Sequence, residues 1–148
     1  MEETVYIIKQ DGMPLKHTIR WRILSAGFNI VANKYVTLPI RAFERIYPRS
    51  EHPTILEEVW KQNVVFNTTG TCEIGILQAE DATKRFLELA GRHSNPAACE
   101  LGTIRREYGV CRAHSISAYP IHLKVVHRSE GEMQALRDRR VIRDLLGA

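Results

Sequence analysis

Apolar positions fall into alternating and helical periods along the chain. Residues 4–9 (TVYIIK) are β-branched and aromatic and run into Gln10-Asp11-Gly12, which predicts a buried strand closed by a turn. Leu15, Ile19 and Ile23 recur at helical spacing, and Gly27 stops that segment. Residues 28–38 (FNIVANKYVTL) predict a long second strand ended by Pro39, and residues 39–47 a helix with that proline at its start. Pro53 opens another predicted helix, with Ile55, Leu56, Val59 and Trp60 on one face. After a turn at 67–70, residues 71–78 (TCEIGILQ) predict a third strand. A helix follows over 80–90, with Ala82, Phe86 and Leu89 inward and Gly91 as its stop. Residues 92–118 hold no period and are rich in Gly, Ser, Asn, Cys and Arg; a loop that long in a compact domain is usually functional. Residues 122–127 (HLKVVH) predict a fourth strand. Ser129 with Glu132 predicts a capping box for a last helix running through Met133 and Leu136 towards Leu146.

This order predicts an α+β fold, a ferredoxin-like α/β sandwich with a four-stranded antiparallel sheet and helices on one face. One domain is expected over 1–148, since neither a repeat nor a linker divides the chain. A content of 44% hydrophobic and 26% charged residues excludes disordered, collagen-like and coiled-coil classes. No apolar run approaches the roughly 18–20 residues of a membrane helix. The acidic start, Met1-Glu2-Glu3-Thr4, speaks against a signal or transit peptide, so a soluble cytoplasmic protein is expected. The net charge of +4 suits a protein that handles phosphates without requiring one. The basic residues between Arg105 and Arg143 are interleaved with only two aromatic residues, Tyr108 and Tyr119, so nucleic acid is not the expected partner. Cys72, Cys99 and Cys111 form no CxxC pair. Cys111 and His114 are therefore read as loop residues rather than zinc ligands.

Three places carry candidate chemistry. His127 ends a strand just before a helix start, where free N–H groups favour an incoming anion. An imidazole with an ordinary pKa near 6.5 is largely neutral at pH 7, and a neutral imidazole is a nucleophile; a strand-end histidine satisfied by a carbonyl is the competing reading. Arg105, in Gly102-Thr103-Ile104-Arg105, is able to clamp a phosphate or simply to stand in solvent. Lys9, at the end of the first strand, has the same two options.

Taken together, these blocks resemble the nucleoside diphosphate kinase family. Ile8-Lys9-Gln10-Asp11-Gly12 is similar to that family's I-K-P-D-G opening. Ser94-Asn95-Pro96-Ala97 followed by Gly102-Thr103-Ile104-Arg105 resembles its T-N-P-A…G-T-I-R loop, and His127-Arg128-Ser129-Glu130 its H-G-S-D signature. The resemblance implies a ferredoxin-like fold and ping-pong transfer of a γ-phosphate between nucleoside tri- and diphosphates through a phosphohistidine on His127. It implies that Lys9 and Arg105 neutralise charge on the transferring group, with Tyr47 near the histidine. It assigns Ser94 and Lys124 to the substrate, Ser129 beside the histidine, and Asp138 to orienting its ring. Mg2+ is implied mainly on the nucleotide phosphates, with Glu130 in place of an aspartate associated with the metal, and a homo-oligomer, hexamer or tetramer, is implied as the assembly. A domain of this type with weak or no catalysis, binding nucleotide or protein, is the alternative.

The chain departs from the pattern at the nucleoside end. The family's helix arginine is Leu87 or Glu88 here, with Arg85 or Arg92 as nearby substitutes. Its stacking phenylalanine is Thr54, with Ile55 the nearest apolar side chain. Lys124 stands for an asparagine and Arg128 for a glycine, and residues 111–121 read as an insertion beside the site.

Overall fold

A computed structural model describes the backbone of residues 1–113 and 121–147, and the side chains of all of these but residues 111–113 and 121. The strands are β1 (Glu2–Ile8), β2 (Asn29–Thr37), β3 (Thr71–Ala79), β4 (Val110–Ala113), β5 (Ile121–Leu123) and β6 (Val126–His127). The helices are α1 (Lys16–Ser25), α2 (Ile40–Ile46), α3 (Glu57–Thr69), α4 (Ala82–Ala90), α5 (Ile104–Tyr108) and α6 (Glu132–Leu146). The main sheet is four-stranded and antiparallel, in the order β2-β3-β1-β6; β4 and β5 form a separate hairpin.

Side-chain alternation explains the layers. In β1, Tyr6 and Ile8 pack with Ile19, Ile23, Leu77 and Phe86, beneath α1 and α4. Val5 and Ile7 point the other way, to Phe43, Ile46, Ile74, Ile76, Val141 and Ile142, beneath α2 and α6. The ferredoxin-like sandwich is thus present, with helical cover on both faces rather than the one expected. This matches the continuous burial of Val5 to Ile8, since a strand alternates only when one face is wet.

Three local expectations are corrected. The single strand expected over 122–127 is split at Val125, whose φ of 57° lies in the left-handed region that β-branched residues avoid. Its neighbours hold it there. The Lys9 N–H donates to the Val125 carbonyl at 2.8 Å, the Val125 N–H donates to Asp11 Oδ2 at 2.8 Å, and the Val126 N–H donates to the Lys124 carbonyl at 2.7 Å, closing a tight turn. Gly12 is required beneath it, because a Cβ there would sit 2.5 Å from the Val125 carbonyl oxygen. Second, the capping box does not form: Gly131 precedes α6 without a side-chain cap, and the Ser129 hydroxyl goes to Asp138 instead. Third, α3 begins at Glu57, four residues beyond Pro53.

The aperiodic segment contains ordered structure. Asn95 accepts the Ala97 N–H at 3.0 Å and closes a 3-10 turn over Pro96–Ala98; Thr103 caps α5 by accepting the Arg106 N–H. Residues 114–120, the greater part of the expected insertion, lie outside the described residues, and so does His114.

Candidate active site

His127 ends β6 and is buried. Its two ring nitrogens are engaged differently. Nε2 lies 3.0 Å from Asp138 Oδ2, and Nδ1 lies 2.6 Å from the Tyr47 hydroxyl. Asp138 also accepts the Ser129 hydroxyl at 2.8 Å, and Arg137 Nε stands 3.5 Å from its other oxygen. Burial pushes the Asp138 carboxyl up, but the hydrogen bonds from His127 and Ser129 and the charge of Arg137 outweigh it and hold the group below its ordinary value. Burial likewise lowers His127, against the raising effect of Asp138, so the ring is neutral at pH 7. Burial raises the Tyr47 hydroxyl well above the ordinary tyrosine value, so it keeps its proton and donates. The tautomer follows: Nε2 carries the proton and gives it to Asp138, while Nδ1 presents a lone pair.

Each group owes its place to a specific element. Tyr47 terminates α2, where its ring packs at 5.0 Å from Phe43 and edge-on to His127. Asp138 lies on the buried face of α6, eleven residues past the histidine. The Lys9 ammonium stands 5.9 Å from the centre of the Tyr47 ring. Arg105 lies in the first turn of α5 and is buried. Its Nε and Nη2 donate to the Val126 carbonyl at 3.2 and 2.9 Å, and Nη1 donates to the His93 carbonyl at 2.9 Å. These bonds tie α5 to the backbone immediately before His127. Gly91, at φ 124°, leaves the room, since a Cβ there would meet Arg105 at 3.1 Å.

Beside the histidine lies a cavity of about 510 Å³. Tyr47, Ser94, Arg105, Lys124 and His127 line it, so the expected positions converge; Lys9 and Lys124 border an adjoining recess with Tyr47. Ser129 and Asp138 stand behind the ring rather than on the cavity wall. Arg128 also lines the cavity. It is anchored by Nε and Nη2 to the carbonyls of Gly91 and Arg92 at 2.8 and 2.7 Å, and Glu130 lies at the rim, 3.4 Å from its Nη1.

The substitutes for the missing helix arginine are sorted by geometry. Arg85 is turned away, donating to the carbonyls of Ala26 and Glu80 and lying over Phe28 at 4.9 Å. Arg92 pairs with Glu88 outside the cavity. Arg128 is the additional arginine on the wall.

The far end is less polar. Ile55, Leu56 and Val59 line it, and Thr54 does not. His52, which no sequence signal singled out, also faces the cavity. Its ring lies 5.6 Å from Trp60 at 30° and 6.4 Å from Tyr47, and Arg49 holds its carbonyl. Among the described residues no group of three or more His, Cys, Asp or Glu side chains could hold a metal ion.

Comparison with known proteins follows the same line. The model of the nucleoside diphosphate kinase family matches residues 2–142. The chain belongs to the nucleoside diphosphate kinase family. It is 30% identical over 111 residues to the nucleoside diphosphate kinase of Syntrophotalea carbinolica, covering 74% of this chain and 77% of that one. The enzyme of Desulfotalea psychrophila is 31% identical over the same shares. Among solved structures, a nucleoside diphosphate kinase from Borrelia burgdorferi, a transition-state mimic with bound vanadate and ADP, superposes with a TM-score of 0.80. It is 20% identical and covers 95% of this chain and 85% of its own. A nucleoside diphosphate kinase from Halobacterium salinarum in complex with CDP superposes with a TM-score of 0.77 at 24% identity, over 95% of this chain and 86% of its own. At these identities the structural likeness establishes the fold. No helix among the described residues is long and apolar enough to cross a membrane.

Proposed function

We propose that the chain transfers the γ-phosphate of a nucleoside triphosphate to a nucleoside diphosphate through a phosphohistidine on His127. The observation that carries this reading is the state of that ring: buried, neutral, with Nε2–H given to Asp138 and the Nδ1 lone pair directed at a cationic cavity. In the first half-reaction Nδ1 attacks the γ-phosphorus in line, the bond to the bridging oxygen breaks, and the diphosphate leaves. Positive charge develops on the ring and is stabilised by Asp138 across Nε2–H. Tyr47 gives up its bond to Nδ1 as the phosphorus approaches. Lys9, Arg105, Lys124 and Arg128 balance the phosphoryl oxygens, and Ser94 offers a hydroxyl. The second half-reaction reverses these steps onto a new diphosphate, so one site serves donor and acceptor in turn.

Magnesium belongs to this scheme as part of the substrate, carried on the nucleotide phosphates; the described residues supply Glu130 at the rim but no cage of their own. The proposal takes 1–148 as one domain acting in a cytoplasmic homo-oligomer. The relatives that bind ADP and CDP support the nucleotide as ligand. A binding module with little turnover is the second reading, favoured by Leu87 in place of the helix arginine. Steady-state kinetics with ATP and CDP separate the two. Parallel double-reciprocal lines with CTP as product support transfer. Nucleotide affinity without CTP formation supports the module.

A further inference from the structure

The cations around the cavity outnumber what the protein supplies to meet them. Lys9 is 7% exposed, Arg105 2% and Arg128 5%. Neither Lys9 nor Lys124 has an acceptor within hydrogen-bond reach, among the described residues, for its ammonium. The arginines keep two free N–H groups each after their carbonyl bonds, counting Glu130 as a partner of Arg128. Asp138 is consumed by His127 and Ser129, and Asp11 gives Oδ2 to the Val125 N–H and keeps a buried Oδ1 without a hydrogen-bond partner, so one carboxylate charge stands against the four cations. Half-buried or buried cations without acceptors are costly unless an anion completes them. Burial and mutual repulsion accordingly lower Lys124 to about 7 and Lys9 to about 8.

The split at Val125 matters here. In a regular strand Lys124 and His127, three apart, would face opposite sides. The left-handed residue between them lets both line one cavity. Charge therefore extends past the position of the transferred phosphoryl group and along the wall, where a chain of phosphates would lie.

We propose that this cavity accepts inorganic polyphosphate as a phosphoryl donor, with Lys124 and Arg128 holding the phosphates beyond the terminal one. The inference rests on the phosphohistidine reading above. Nδ1 of His127 attacks the terminal phosphorus, the P–O bond to the next phosphate breaks, and a chain one phosphate shorter leaves with the bond's electron pair. The phosphohistidine is then discharged to a nucleoside diphosphate. No base or ribose contact enters the step.

The test incubates the full chain with magnesium and either tripolyphosphate, long-chain polyphosphate or ATP. Phosphohistidine is then read by intact mass and alkaline phosphorus NMR. The expected result is labelling by ATP and by both inorganic donors, with CTP formed when CDP follows. Lys124→Asn is expected to lower labelling by the inorganic donors about tenfold or more, one lost charged hydrogen bond, and labelling by ATP as well, since Lys124 faces the phosphates of either donor. Unchanged melting of Lys124→Asn, or an increase, shows that the loss is not unfolding. Labelling by ATP but by neither inorganic donor overturns this inference and leaves the kinase reading intact. Unchanged labelling by the inorganic donors in Lys124→Asn also overturns it. Absence of labelling by any donor removes the phosphohistidine reading and the inference with it.

Discussion

Replacing Asp138 by asparagine probes the tautomer argument on which the chemistry depends. Asp138 is fully buried, and one of its oxygens accepts both the His127 Nε2–H and the Ser129 hydroxyl. Asparagine fills the same volume but loses the charge. With its carbonyl towards His127, its amide meets Arg137 Nε, a donor at 3.5 Å, and two donors face each other. With the amide reversed, an N–H meets Nε2 and drives the proton onto Nδ1, which removes the lone pair. In the first orientation the lost charge-assisted bond costs about 1.5–3 kcal/mol in the transition state, or roughly 10- to 150-fold in rate. In the second, the wrong tautomer costs up to about 10⁴-fold, as in other enzymes where a carboxylate fixes a histidine. Phosphoenzyme formation from ATP, followed by rapid quench in a single turnover, is expected to slow by about 10- to 10⁴-fold. The pH profile adds a readout that mere loosening of the fold would not move. In the native protein the rate falls on the acid side, with an inflection below the ordinary histidine value of 6.5, because protonated Nδ1 cannot attack. Removing the Asp138 charge, which raises His127, moves that inflection further down. A native rate in Asp138→Asn, or an inflection that moves up, refutes the reasoning.

Other expectations follow from the same geometry. Tyr47→Phe removes the donor that favours unprotonated Nδ1, so the acid inflection of phosphorylation moves up, opposite to Asp138→Asn; an unchanged profile contradicts the 2.6 Å bond. Gly12→Ala puts a methyl group against the Val125 carbonyl and is expected to cost about 1–3 kcal/mol in urea unfolding, with loss of labelling as the Lys124–His127 turn shifts. Lys9 and Lys124, lowered from 10.5 to about 8 and 7, are protonated in the unfolded chain over a range where the folded chain has released protons. Stability therefore rises between about pH 7 and 9, above which Cys72 and the buried tyrosines, all raised, begin to reverse the sign. In Lys124→Met this slope drops, and the variant is more stable than the native chain at pH 7; a steeper slope would contradict the burial of the amine.

The sequence made the frame of the molecule legible. The three long strands and most helices follow from period and punctuation, because their apolar faces sit on two ordinary cores. His127, Tyr47, Lys9 and Arg105 were readable as a set only through motif spacing, since each alone is compatible with a satisfied or solvated side chain. What escaped has physical reasons. Val125 carries strand propensity, and only tertiary bonds from Lys9 and Asp11 hold it left-handed, so the split of the last strand was invisible. Ser129 matched a helix cap, but a buried carboxylate is the stronger acceptor and took its hydroxyl. Arg85 and Arg92 stood near the right place in sequence, yet a helix turns Arg85 to the opposite side. Arg128 reads in the sequence only as a departure from a glycine, because the carbonyls that anchor it lie 36 and 37 residues away. His52 reaches the cavity through a connection with no periodic signal.

The most direct measurement is a phosphoryl map followed by a chase. The chain is incubated with ATP and magnesium, digested under alkaline conditions and sequenced by mass spectrometry, and a second portion is mixed with CDP. The account predicts one acid-labile phosphoryl group on His127, absent from His127→Gln and discharged quantitatively into CTP. A phosphoryl group retained in His127→Gln, or one on His127 that CDP cannot remove, would contradict it.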